Sequence, residues 1–458
     1  MIDAVTQASS GEDSKLVTTA LTETRGSACM PSPRWLEQFG LATLVVVSAA
    51  WLVGLVLILL RPVFISHDSL SNNVHVWWIS QQIWGGSGLP MHIGVLANGQ
   101  ALTFPYASIP WLSAALVWPL LGDRAVSLWL VIGLVSTIGA TFWTFPSLRK
   151  AWWAVAVLAN PALVISPFLG QLPFLWSIAC FTFAMGMWRR GKVLAAVVLA
   201  SAAQIMHPAV TLPIAVVVIA VWLPFEQPQR RRPLIGWWLL TVAICLPAVW
   251  AVFQSPVIAE TTPLVQMAAL LQTVSVRLLV VLIPMMMVGL QYQKRLRVLP
   301  WVPALLSLIF VAAQIPMYQP FGMDFAWGAL RRDAAPSADA FAESGQVTSG
   351  DTYRVLSGFD GKYALYAVAR NGGVLDAEFF PEGLHRGAFA SLSDYSAFLR
   401  TRSVEHVVAF PSYGLKYRRS NEPETLKRMV AAGCVDGVGV TRVPGGSDWA
   451  LYNVEIGC

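Results

Sequence analysis

His67-Asp68-Ser69 lies a few residues past the first long apolar run of the chain. A carboxylate at the mouth of a many-helix apolar protein is expensive to place there, so it marks a functional site by default. Asp68 can serve as a general base, taking a proton from an attacking hydroxyl within hydrogen-bond reach. It equally suits the N-cap of a helix that starts at Ser69, and the two roles are compatible. His67 reads as a neighbour that tunes or positions it.

Other polar residues fall at the same predicted face. Arg61 can hold a phosphate through a bidentate contact or anchor a helix end by snorkelling. Gln171, in Gly170-Gln171-Leu172-Pro173, is either a substrate contact or a polar turn that satisfies helix ends. His207, before Pro208, offers a nitrogen to a phosphate oxygen or simply caps a turn. Arg331 and Arg332 follow the last apolar run and suit a phosphate or headgroup. His75, His92, Glu260 and Asp324 fall at the same face. No Walker A loop, Rossmann glycine fingerprint, HExxH, CxxC or Asp-x-Asp pair occurs, which argues against a nucleotide-driven pump or a zinc enzyme. No metal site is indicated, although a divalent ion is compatible with the residues, and no nucleic-acid partner is expected.

The elements that must position these residues are set by composition. The 458 residues are 56% hydrophobic and 12% charged, against about 25% charged in soluble chains. The chain reads as a polytopic α-helical membrane protein of about 9–11 transmembrane helices with a small C-terminal α/β domain. Residues 1–35 are polar and read as a flexible cytoplasmic tail without a signal peptide. Residues 36–317 form the transmembrane domain, with a long first outer loop at 61–106. Residues 318–458 form the extracytoplasmic domain.

Apolar runs near 39–60, 125–145, 151–168, 172–188, 192–206, 209–224, 234–254, 272–291 and 298–316 approach the ~20 residues that span a bilayer. His207-Pro208 interrupts 192–224 and predicts a tight hairpin, because proline removes a backbone donor. Arg34, Arg149-Lys150, Arg189-Arg190 with Lys192, Arg230-Arg231-Arg232, and Lys294-Arg295 with Arg297 all fall on one side under a single alternation. The positive-inside rule makes that side cytoplasmic. The loop 61–106, the Gly170-Gln171 and His207-Pro208 turns, 255–271 and everything after 317 then lie outside, in a multi-pass protein of the plasma membrane. This count requires an odd number of crossings between Arg61 and Arg149. The run 107–121, with Pro110 and Pro119, therefore either fails to cross or conceals another crossing nearby.

Within the first outer loop, 69–86 reads as an interfacial amphipathic helix. Leu70, Val74, Trp77, Trp78 and Trp84 fall near one face, and Asn72, Asn73, His75, Ser80 and Gln82 belong to the polar remainder. The C-terminal part predicts strands at Tyr353–Ser357, Tyr363–Ala369, Val404–Phe410 and Trp449–Val454. It also predicts helices at Ser393–Thr401 and from an Asn421 cap to Gly433. Cys180 and Cys245 fall in apolar runs. Cys434 and Cys458 are free to pair if their domain is outside the cell.

With these residues in view, the chain resembles the GT-C superfamily of integral-membrane glycosyltransferases. The features that carry the likeness are His67-Asp68-Ser69 with a helix after it, Asn160-Pro161 followed by Gly170-Gln171, the Gln204–His207-Pro208 turn, and the terminal α/β domain. The resemblance implies a sugar donor on a polyprenyl phosphate, a cell-envelope glycan or glycolipid acceptor, inversion at the anomeric carbon, and an acid in the first outer loop as base. Asp68 is the matching position. Many members carry two acids there, whereas here Ser69 follows the single Asp68. Two other functions fit the same composition. One is a transporter or flippase of lipid-linked glycans, and the other a non-catalytic GT-C-like envelope scaffold.

Overall fold

The computed structural model describes residues 34–60, 69–99, 101–102, 106–168, 170–253, 278–288, 301–317, 336–356, 362–376, 389, 391–410, 422–444, 446 and 449–458. A helical bundle precedes a mixed α/β domain. The bundle contains α1 (Arg34–Leu60), α2 (Ser69–Trp84), α3 (Ser108–Leu121), α4 (Arg124–Thr144), α5 (Ala151–Leu158), α6 (Pro161–Phe168), α7 (Leu172–Arg189), α8 (Val193–Met206), α9 (Pro208–Trp222), α10 (Pro228–Phe253), α11 (Leu278–Val288) and α12 (Trp301–Met317). Among the described residues, four helical stretches are long and apolar enough to cross a membrane: Arg34–Leu60, Arg124–Thr144, Pro208–Phe225 and Pro228–Ala251.

The helices α4 and α7 run parallel and form the centre of the bundle. Thr137 Oγ1 donates to the Leu175 carbonyl and Thr144 Oγ1 to the Thr182 carbonyl. Gly133 permits the approach, since a Cβ there would lie 2.7 Å from Cδ1 of Trp176. The run 151–168 is two helices rather than one. Proline at 161 lacks the N–H that a continuous helix needs, and Asn160 fills the break. Its Oδ1 accepts from the Ala162 N–H and its Nδ2 donates to the Leu279 carbonyl.

The chain does break at His207-Pro208, but not into the expected tight hairpin. The helices that pack along their length are α7 and α8, joined at Arg190–Lys192, whereas α8 and α9 touch little beyond their junction. Ser177 of α7 holds that junction by donating to the Ala203 carbonyl and meeting the Thr211 hydroxyl.

The two ends of the bundle differ in chemistry. At one end Arg149, Arg189, Arg190 and Arg230 donate to the carbonyls of Phe142, Thr144, Trp143 and Trp188. Trp152 reaches the Leu36 carbonyl beside Arg34 at that end. At the other end lie α2, the Gly170 turn, His207 and the C-terminal domain. Both ends of α3 belong to the second group. Ala107 donates to the Met206 carbonyl at the start of α3, and Asp123, just past its end, bonds Tyr366 and Arg370 of the C-terminal domain. The run 107–121 therefore begins and ends at one end of the bundle, the first of the two options left open by its sequence.

Among the described residues, the C-terminal domain has a six-stranded mixed sheet. A two-stranded ribbon of β1 (His92–Ile93) and β2 (Ala101–Leu102) precedes it in the long loop. Its strands are β3 (Thr352–Leu356), β4 (Val374–Leu375), β5 (His406–Ala409), β6 (Cys434–Val435), β7 (Val438–Val443) and β8 (Ala450–Ile456), in the order β4-β3-β5-β8-β7-β6. The strands β4, β3 and β5 are parallel and the rest antiparallel. The helices are α13 (Pro336–Glu343), α14 (Lys362–Arg370), α15 (Leu392–Thr401) and α16 (Glu422–Ala432).

One strand expectation is corrected. Residues 363–369 lie in α14, because Ala364, Leu365, Val368 and Ala369 bury at helical spacing against β3, and parallel β3 and β4 need a crossover between them. The strands β4, β6 and β7 match none of the strands expected from sequence. Cys434 and Cys458 are bonded to each other, closing the β6 edge onto the end of β8. The expected start of the domain at 318, the Asn421 cap, and the loop 255–271 lie outside the described residues.

Candidate functional site

The helix α2 adjoins the Gly170-Gln171 turn and lies two aromatic rings from His207, and its setting corrects the interfacial reading. Ser71, Asn72, Asn73, His75 and Ser80 are buried along with Val74, Val76 and Ile79. The helix joins two cores. Val76 and Ile79 pack into the helical bundle, while Val74, Trp77 and Trp78 pack against the C-terminal domain. Its polar residues therefore face protein rather than water. Buried polar groups need partners, and those partners define the site.

Asn72 is the centre of the network. Its Nδ2 donates to the Gly170 carbonyl at 2.7 Å, and its Oδ1 accepts from Trp111 Nε1 at 2.8 Å. His75 stacks on Trp111 with ring centroids 3.7 Å apart, and its Nδ1 lies 2.7 Å from the Ser71 carbonyl. Tyr106 meets Trp111 edge-on and His207 edge-on, at 5.5 and 5.4 Å. The turn before Gln171 and the break at His207 are thus brought to one helix, with Trp111 and Tyr106 between them. Gly170 has φ of +68°, which a side-chain-bearing residue would adopt only under strain. Gln171 is buried at the start of α7, where its carbonyl accepts from Leu175 and its N–H donates to Ser166.

Replacing Asn72 by Ala would strand a buried indole N–H and a buried carbonyl. The expected loss is about 1–3 kcal/mol, read as a lower unfolding temperature of the purified protein in detergent. An unchanged temperature would show that the network does not hold α2.

A second cluster locks the C-terminal domain onto this end. Arg370 Nη1 lies 2.8 Å from Asp123 Oδ1 and donates to the Tyr366 hydroxyl at 3.0 Å, and the Tyr366 hydroxyl donates to Asp123. The Arg370 guanidinium also lies 5.6 Å from the Trp77 ring and 5.3 Å from the Trp118 ring, within cation–π range. Burial and the Asp123 carboxylate push the Tyr366 phenol well up, and Tyr366 and Asp123 hold the Arg370 guanidinium up against its burial.

Asp123→Asn should loosen α14 by about 1–2 kcal/mol. A charged hydrogen bond contributes about 1.5–3 kcal/mol, and solvent screens part of it at the partly exposed Arg370. Faster amide exchange confined to α14 and its contacts on α2 would report it. The Tyr366 contribution has its own pH signature. A phenol raised in the folded state favours folding fully below its ordinary value of 10.0 and loses that contribution as pH rises through the raised value. Docking should therefore weaken only in strong alkali.

Asp68 directly precedes α2 in sequence, but Arg61, His67 and Asp68 lie outside the described residues, as do Arg331, Arg332, Glu260 and Asp324. His92 sits exposed at the start of β1, apart from the network. Sequence reasoning missed Tyr106, Trp111, Asp123, Tyr366 and Arg370. Of these only Asp123 carried a signal, as an acid after Gly122 between two apolar runs. Among the described residues no three His, Cys, Asp or Glu side chains gather closely enough to hold a metal ion. No family model matches the chain, and no curated protein matches it.

Proposed function

We propose that this chain is a GT-C-type membrane glycosyltransferase. It transfers a sugar from a polyprenyl-phosphate donor to a cell-envelope glycan or glycolipid on the outer face of the plasma membrane. The observation that carries the reading is the position of α2. The helix that starts immediately after Asp68 is buried between bundle and C-terminal domain, the Gly170 carbonyl bonds to it, and His207 is linked to it through Tyr106 and Trp111. Asp68 at its head deprotonates the acceptor hydroxyl. Arg61, His67, Gln171, His207, Arg331 and Arg332 are the candidates to bind donor and acceptor and to stabilise charge on the leaving lipid phosphate.

Two features support an orientation with the C-terminal domain outside. The basic turns collect at the opposite end of the bundle, as the positive-inside rule asks. The Cys434–Cys458 bond belongs to an oxidising compartment. Among the described residues, this reading makes nine traverses of α1, α4, α5 with α6, α7, α8, α9, α10, α11 and α12, while α2 and α3 stay at the outer end.

Membranes carrying the chain are expected to move labelled sugar from a polyprenyl-phosphate carrier onto a glycan or glycolipid. Nucleotide sugar should support no transfer once the carrier pool is exhausted. Labelled carrier that crosses the membrane without sugar reaching any acceptor would refute the transferase reading in favour of a transporter.

A further inference from the structure

The basic end of the bundle holds a cavity that the proposed transfer does not use. It is open on one side, lies between α7, α8, α9 and α10, and spans about 580 Å³ including the solvent at its mouth. Trp188, Trp222, Trp237 and Trp238 form much of its wall, and Thr241 supplies its one hydroxyl. Its wall is bound to the charged turns below. Trp188 and Trp222 both donate their indole N–H to Glu226 Oε2, at 2.9 and 3.1 Å. The Arg230 guanidinium lies 4.9 Å from the Trp188 ring.

Basic residues outnumber acids beside the cavity. Arg189, Arg190, Lys192, Arg230, Arg231 and Arg232 occupy the two turns beside the cavity, and Glu226, the carboxylate between them, is buried under the two indoles. Leu194, Val198 and Trp237 are exposed on the flank of the same helices, so the outer surface beside the cavity is apolar. Trp238 Nε1 is buried without a hydrogen-bond partner among the described residues, leaving a donor that an ester carbonyl would satisfy.

We propose that this cavity is a binding site for an anionic phospholipid of the leaflet at the basic end. One acyl chain lies among the tryptophans, and the headgroup phosphate rests on the arginine-rich turns. A basic rim beside a cavity between spanning helices selects anionic headgroups, while the apolar wall requires a chain and rejects a free phosphate. The inference rests on the bilayer placement of the helices and not on the transfer chemistry.

Native mass spectrometry of the full chain in detergent tests it, with phosphatidylglycerol or phosphatidylcholine of the same acyl chains added. One retained phosphatidylglycerol, preferred at least about tenfold over phosphatidylcholine, is expected, since each basic residue near a headgroup contributes about fivefold. Ala200→Phe, which fills the cavity and leaves every cation in place, should lose that lipid. Arg231→Gln with Arg232→Gln leaves every lining residue in place, removes with the two charges the Arg231 bonds to the Glu226 and Pro224 carbonyls, and should cut the preference by an order of magnitude or more. Undiminished retention in Ala200→Phe would place the lipid on the surface and overturn the proposal. Should that variant not fold, an unchanged preference in the double arginine variant overturns it alone, as would equal retention of the two lipids in the wild type.

Discussion

Arg354→Met should destabilise the C-terminal domain by about 3–5 kcal/mol, the loss expected when one partner of a buried ion network is removed. Arg354 sits in the centre of β3 and is 1% exposed. It grips Glu422 with two hydrogen bonds, of 2.6 and 2.8 Å, and Asp376 with a third of 2.9 Å. Both carboxylates are 1% exposed. Burial alone would lower the Arg354 pKa, but Glu422 and Asp376 hold it well above its ordinary value, and burial outweighs Arg354 in pushing Asp376 up.

Without the cation two acids remain in the core. Their cost should appear as a fall in the thermal midpoint of the domain, read by a probe on β3 or β5. Replacing Arg354, Asp376 and Glu422 together by Met, Leu and Leu should recover most of the loss, since an apolar set of similar volume is often neutral or better. Acid should also rescue the single variant in part. Burial pushes the Asp376 carboxyl up and Arg354 holds it down, so without Arg354 the folded form takes up protons at higher pH than the wild type and gains stability as pH falls. A single variant as stable as the wild type would mean that the carboxylates are not charged in the core.

The second large effect is on turnover. Asp68→Asn keeps the size of the side chain and its capacity to cap a helix, and removes only the proton acceptor. A general base contributes about 10²- to 10⁴-fold, so turnover should fall by that factor with donor binding little changed. Asn72→Ala separates position from chemistry. It disturbs α2 through its buried partners and should lower stability and turnover together, whereas Asp68→Asn should leave the unfolding temperature in place. An Asp68→Asn protein with unchanged turnover would make Asp68 a cap and nothing more.

What the sequence made legible follows physical type. The long apolar helices were readable because length and hydropathy together mark them, and the basic turns were readable because Lys and Arg interrupt the apolar runs. Both basic clusters at 189–192 and 230–232 indeed share one end of the bundle. The helix at 69–84 was readable too, but its role was not. An Asn- and His-bearing face looks solvated in one dimension, and only the arrival of Trp111 and the Gly170 carbonyl turns it into a buried network. The α14 error has the same root, since Lys-Tyr-Ala-Leu-Tyr-Ala-Val-Ala-Arg satisfies either period over so short a span. The contact of Asp123 with Arg370 spans most of the chain, and no local pattern encodes it. The Cys434–Cys458 pairing was allowed by sequence and decided by the meeting of β6 with the end of β8.

One measurement bears most directly on the account: sugar transfer from a polyprenyl-phosphate donor by membranes carrying equal folded amounts of the wild type or Asp68→Asn. The account predicts transfer by the wild type and a loss of at least about 10²-fold in the variant. Equal transfer by the two proteins, or none by the wild type from any lipid-linked donor supplied, would contradict it.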